Sequence, residues 1–171
     1  LPAADRKSVM IVFRYSPGTL TVAGEPEFFG SFWLATANAK NAAVGTTQPL
    51  APVNAEQVIT WNPDTILIGG AGQAQLTPRQ LLDNSAEGID LSSLTAVRKG
   101  NVYSTGLGMW SWFTPNPDAP VIANWIGAAI YPDLYKPNEI RKMTRDYYAL
   151  AYGYKLSDKQ LDAIFTRSFA G

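Results

Sequence analysis

Apolar residues in this chain fall in short unbroken runs and in helical stripes, with little of the strict alternation of a half-exposed sheet. Ser8-Val9-Met10-Ile11-Val12-Phe13 and Thr65-Ile66-Leu67-Ile68 are runs of strand length, the pattern of strands covered on both faces in a parallel sheet. A third strand is expected over 101–104, where Val102 and Tyr103 are good β-formers. Phe28, Phe29, Phe32, Trp33 and Thr36 recur at helical spacing behind Pro26, a plausible first helical residue, with Glu25 and Glu27 suited to the positive end of that helix. Residues 41–52 read as irregular. Asn54 then caps a short helix, with Gln57 in the reciprocal position and Val53 placed to staple against Val58. Thr77, Pro78, Gln80 and the Leu76–Leu81 pair repeat those signals for a helix over 77–84, and Leu91, Leu94 and Val97 pack under a turn at Lys99-Gly100. Three helices close the chain. Their stripes are Val121, Ile122, Trp125, Ile126, Ala129 and Ile130 behind Asp118; Ile140, Met143, Tyr147, Leu150 and Ala151 behind Asn138-Glu139; and Leu161, Ile164 and Phe165 behind the Ser157–Gln160 capping box.

Strands alternating with helices predict an α/β lobe, a three-layer sandwich with right-handed crossovers and a mainly parallel, Rossmann-like central sheet. At 171 residues the chain fits one such lobe, with about 70% of its unfolded surface buried and no need of disulfides. The 14 basic and 14 acidic residues balance, so nothing points to nucleic acid or an anionic membrane surface. The absence of Cys and His removes thiolate metal sites, Cys nucleophiles, Ser-His-Asp catalysis and the commonest zinc ligand. An enzyme built here would work with Asp, Glu, Tyr and Lys. No run approaches the roughly 18 apolar residues that a membrane span needs. Leu-Pro-Ala-Ala-Asp-Arg-Lys at the start is neither a signal nor a targeting sequence, and fits a mature exported chain or a piece of a longer one.

Ligands of an open parallel sheet bind beyond the carboxyl ends of its strands. Three strands end there in unusual loops: Tyr15 to Gly18, Gly69-Gly70-Ala71-Gly72-Gln73, and Gly106 to Phe113. The last carries Trp110, Trp112 and Phe113 before Pro115 and Pro117 break regular structure. Rings in such a loop either fold inward to cap the core, as Trp and Phe usually do, or stand on a common rim with Tyr15 and grip something flat. The glycine run does not match G-x-G-x-x-G, and there is no Walker lysine. Asp64, Asp83, Glu87 and Asp90 fall in turns or on exposed faces and make no persuasive acid–base pair. Glu56 lies in the first turn of a capped helix, where interaction with the helix dipole is worth about 0.3–1 kcal/mol.

Val53 to Ile68, Leu94 to Tyr103, and the Trp125 helix ending in Tyr131-Pro132-Asp133-Leu134-Tyr135 resemble the second half of the substrate-binding proteins of iron-siderophore, haem and cobalamin ABC importers. This is the periplasmic binding-protein class with a helical backbone between lobes. The order of E-Q-V, N-P-D with an apolar strand, and A-V-x-x-G-x-V-Y carries the likeness, over about residues 7–135. The resemblance implies a C-terminal lobe over 1–171, with an N-terminal lobe and connecting helix preceding residue 1. It further implies a metal chelate held between lobes and no enzymatic activity. Delivery would be to a membrane permease, from a periplasmic or extracytoplasmic position, with or without a lipid anchor. No resident metal or cofactor is implied. Glu56 falls on the acidic residue by which such lobes dock on the permease; Tyr15, Gly69, Gly70, Gln73, Trp110, Trp112 and Phe113 fall where the family lines its cleft. A carbohydrate-binding lobe with an aromatic platform, or a small α/β enzyme using Tyr or Asp at the same strand ends, are the competing readings.

Overall fold

Along β1 (Ser8–Ser16), Val9 and Ile11 enter one buried cluster and Met10 and Val12 another, the period-two signature of a strand covered on both faces. β5 (Thr65–Ile68) divides the same way, Leu67 from Ile66 and Ile68. The structure, a computed structural model, describes residues 2–69, 71–108 and 111–165. Besides these two strands it contains β2 (Thr19–Ala23), β3 (Lys40–Asn41), β4 (Leu50–Val53) and β6 (Val102–Tyr103). They form one sheet in the order β4-β2-β1-β5-β6, with β3 paired to the start of β1. The β1–β3, β1–β5 and β5–β6 pairs are parallel, while β1–β2 and β2–β4 are antiparallel. The α/β sandwich is as expected, but its sheet is mixed. β4 is an edge strand, which is where Pro52 can sit without removing a ladder bond.

One helical layer supplies Trp33 and Leu34 from α1 (Phe29–Thr36), the α6 stripe (Ala119–Ile130), Ile140 from α7 (Pro137–Tyr152), and Leu161 and Phe165 from α8 (Asp158–Phe165). The other supplies Val58 from α2 (Ala55–Trp61), Ala74 from α3 (Ala71–Ala74), Leu81 from α4 (Pro78–Leu82), and Ala96 and Val97 from α5 (Thr95–Arg98). The expected caps form: Asn54 Oδ1 accepts the Gln57 N–H at 2.9 Å, Thr77 and Gln80 make the reciprocal pair, and so do Ser157 and Gln160.

Several local expectations need correction. α1 starts at Phe29, not behind Pro26, and the Glu25 carboxylate accepts the Gly45 N–H at 2.7 Å instead of facing the helix end. The stretch 41–52 is not irregular throughout, since it begins in β3 and ends in β4. β1 does not stop at Phe13: it runs to Ser16 and turns back through Pro17-Gly18 into β2, with Gly18 at φ 78°, where glycine is favoured. The apolar stripe of α7 is not buried along its whole length, although Tyr147 and Tyr148 pack against the core. Ile140 is buried, and Thr144 is tolerated beside it by donating its hydroxyl to the Ile140 carbonyl at 2.8 Å, whereas Leu150 is 87% exposed.

Candidate functional site

The parallel strands end at a common edge, and the chain there is shaped by a bulge. The register slips between Val12 and Arg14, so that Val12 faces Val22 but Arg14 faces Thr21. An extra residue in one strand reverses the side on which later side chains emerge. Phe13 therefore packs against the cluster under α1 and α6, while Tyr15 emerges on the opposite face, against the cluster under α2 and α4. There the Tyr15 hydroxyl donates to the Glu87 carbonyl at 2.9 Å and lashes the hairpin to the loop behind it.

That geometry separates residues expected to share one rim. Trp112 and Phe113 are both fully buried on the Phe13 side, so neither is exposed beside Tyr15 and neither presents a face to a ligand. The reason is polar as much as apolar. The Trp112 indole N–H donates to the carbonyl of Ile68, the last residue of β5, at 2.7 Å, and the Trp33 indole N–H donates to the Phe113 carbonyl at 2.8 Å. A buried carbonyl left without a donor costs about 1–3 kcal/mol, and burying each ring with its N–H satisfied avoids that cost. Trp112 lies 5.3 Å from Trp125 and 6.0 Å from Phe113, centroid to centroid. Gly70 and Trp110 lie outside the described residues.

The aromatic surface at this edge consists of residues the sequence reading left to a strand and a helix. Phe13 and Phe29 are half-buried and Phe28 is 37% exposed. All three rest on Phe113, at centroid distances of 5.3 Å, 6.2 Å and 6.3 Å respectively, and Phe28 stacks on Phe29 at 4.3 Å. The exposed Arg14 guanidinium sits 5.9 Å from the Phe13 centroid, within range of a cation–π contact. Gly69 closes the edge: its N–H donates to the Val12 carbonyl at 2.8 Å, and a Cβ there would come within 3.5 Å of the Phe13 carbonyl oxygen. The Gln73 side-chain oxygen is buried near it in sequence, with no donor among the described residues. Beside the rings an apolar hollow of about 340 Å³ is lined by Phe29, Phe32, Trp33, Pro115, Asn116 and Ala119.

Away from this edge, Glu56 is exposed in the first turn of α2, as expected. Among the described residues there is no group of three or more His, Cys, Asp or Glu that could hold a metal ion, and no helix long and apolar enough to cross a membrane. The phenols of Tyr148 and Tyr152 are both raised in pKa, by burial and then by their hydrogen bonds to Asp118. That direction keeps them protonated at neutral pH and gives them no basic or nucleophilic character.

No protein-family model matches the chain. It is 27% identical over 117 residues to the molybdate-binding protein MolA of Haemophilus influenzae, an alignment covering 68% of this chain and 32% of that protein. A periplasmic solute-binding protein from Veillonella parvula superposes on 98% of this chain and 49% of its own with a TM-score of 0.83 and 25% identity. An ABC transporter solute-binding protein from Sulfurospirillum deleyianum, 23% identical, shares the fold over 96% of this chain and 49% of its own, with a TM-score of 0.74. The chain thus spans between about a third and a half of the proteins it matches. Its likeness to the periplasmic solute-binding proteins of ABC transporters extends over nearly its whole length.

Proposed function

We propose that this chain is one lobe, the C-terminal one, of the substrate-binding component of an ABC importer, working outside the cytoplasm as a binding module and not as an enzyme. It takes a metal enclosed in an organic chelate or macrocycle, a ferric siderophore, haem or cobalamin, between its strand edge and a second lobe. The observation that carries the reading is the ring platform of Phe13, Phe28 and Phe29 over buried Phe113, at the edge where open α/β sheets bind ligands. Flat apolar faces suit such a ligand, and the Arg14 guanidinium beside Phe13 suits the carboxylates many chelates carry. Gly69 lets β5 close tightly on the end of β1 beneath the rings, and Gln73 offers an amide. Glu56, exposed on α2, is the contact to the permease, and membrane association runs through that permease or a lipid anchor.

Arg14 also favours a second reading. A cation at the strand edge, together with the likeness to a molybdate-binding protein, supports a small oxyanion in place of a chelate. Titration of the protein carrying both lobes with haemin, ferric siderophores, cyanocobalamin and molybdate, followed by intrinsic fluorescence and calorimetry, separates the two. Binding of molybdate alone selects the oxyanion, and binding of none of the four refutes the receptor assignment.

A further inference from the structure

Asp118 is a 95%-buried carboxylate whose two oxygens are both engaged. Oδ2 accepts the Gly108 N–H at 3.0 Å and the Tyr148 hydroxyl at 2.7 Å, and Oδ1 accepts the Tyr152 hydroxyl at 2.8 Å. Tyr147, the residue before Tyr148, donates its hydroxyl to the Pro117 carbonyl. The three phenol rings pack edge to face, with centroids 5.0–6.3 Å apart. Asp118 precedes α6 but makes no side-chain cap to it. A good capping residue has been diverted from its local role, and its bonds reach instead to the loop after β6 and to the last turns of α7.

We infer that Asp118 is a positioning residue for the ligand platform: it clasps the loop shut between Gly108 and its own position, with Tyr148 and Tyr152 of α7 holding the clasp from behind. The loop it closes carries Phe113, the ring on which Phe13, Phe28 and Phe29 rest. Two features make the clasp specific. Gly108 stands at φ 80°, and a Cβ there would lie 2.9 Å from the Ser111 carbonyl oxygen, so only glycine can present its N–H to Asp118 along this path. Hydrogen bonds to a buried carboxylate are stronger than neutral ones, and the carboxylate is costly to leave with fewer donors. α7 thereby helps to set the geometry of the platform. The inference rests on the platform being the ligand-binding wall, while its structural half stands independently.

The test is the variant Tyr148→Phe/Tyr152→Phe, which keeps the rings and removes two of the three donors to Asp118. Amide hydrogen exchange and ring chemical shifts are measured by NMR on this chain. The clasp predicts exchange at Gly108 faster by about tenfold, the effect of weakening a charge-assisted hydrogen bond. It also predicts shifted Phe113 ring resonances and unchanged protection at Val9–Val12 and Leu67. Unchanged exchange at Gly108, equal acceleration at every amide, or loosening of Gly108 with Phe113 unmoved would each overturn it. In the two-lobed protein, whichever of haemin, ferric siderophore, cyanocobalamin or molybdate the wild type binds should bind the variant several-fold more weakly, and equal affinity would overturn the inference. A wild type that binds none of them counts against the receptor assignment, and the exchange data then decide the clasp alone.

Discussion

Replacing Trp112 by Phe distinguishes a ring that faces a ligand from a ring that closes the sheet. Trp112 is fully buried, its indole N–H donates to the Ile68 carbonyl at 2.7 Å, and Trp125, Phe113 and Trp33 surround it at 5.3–6.4 Å. Phenylalanine keeps a six-membered ring in place but removes the donor, leaving a buried carbonyl unpaired at a cost of about 1–3 kcal/mol. It also removes part of a large ring, for which loss of packing and the residual cavity add about 1–2 kcal/mol. The sum, about 2–5 kcal/mol, is a large fraction of the 5–15 kcal/mol typical of a domain. In a chain of this size each kcal/mol moves Tm by roughly 2–4 °C, so a fall of about 4–20 °C is expected. Urea and thermal unfolding followed by circular dichroism at 222 nm measure it. Leu150→Ala, at a side chain 87% exposed, is the control and should fall within about 0.5 kcal/mol of wild type. A Trp112→Phe variant as stable as that control would refute the inward placement of the ring and restore it as a candidate ligand contact.

Gly30→Ala should cost about 1–3 kcal/mol or more in urea unfolding, because the new methyl would lie 2.3 Å from the Ala23 Cβ and force α1 off β2; an unchanged midpoint would contradict that packing. Burial, with the Asp118 hydrogen bond and charge, raises the Tyr148 phenol above its ordinary pKa near 10. The folded state then holds a proton that the unfolded state releases, so the contribution is fully present below about pH 10 and declines as pH rises toward the folded value. Tyr148→Phe should flatten the loss of stability between pH 10 and 11 by up to about 1.4 kcal/mol per pH unit, and superimposable profiles for variant and wild type would show the group to be unperturbed. Glu56→Ala, in the protein together with its proposed second lobe, should leave stability within about 0.5 kcal/mol, as expected of an exposed site. Ligand affinity should also hold while uptake through the permease falls, and normal uptake would remove Glu56 from the docking surface.

The parts of the fold that were legible in the sequence are those whose causes are local. Asn54 with Gln57, Thr77 with Gln80 and Ser157 with Gln160 each satisfy their helix start within three residues, and the runs at 8–13 and 65–68 announce burial on both faces. The β1–β2 hairpin was not legible as such: the apolar run stops at Phe13, and the polar Arg14, Ser16, Thr19 and Thr21 blur the strands on either side of Pro17-Gly18. The bulge at Phe13 was not legible either. Val9, Ile11, Phe13 and Tyr15 share parity in the sequence, and only the slipped pairing with β2 sends Tyr15 to the other face. Nor could the loop after β6 disclose where its rings go, because the acceptor for Trp112 is 44 residues earlier in the chain and the donor to the Phe113 carbonyl is 80 residues earlier. The platform residues Phe13 and Phe28 read as a strand end and a helix start, and a contact through Phe113, distant in sequence, is what joins them.

The most direct measurement of the central claim is chemical-shift mapping of the protein together with its proposed second lobe, isotope-labelled and titrated with whichever of the four probes it binds. The account predicts that the largest perturbations within this chain fall on Phe13, Arg14, Phe28, Phe29, Gly69 and Gln73, with Tyr15 and the Glu87 loop silent. Perturbations centred on Tyr15 and the opposite face of the sheet, with Phe28 unmoved, would contradict it.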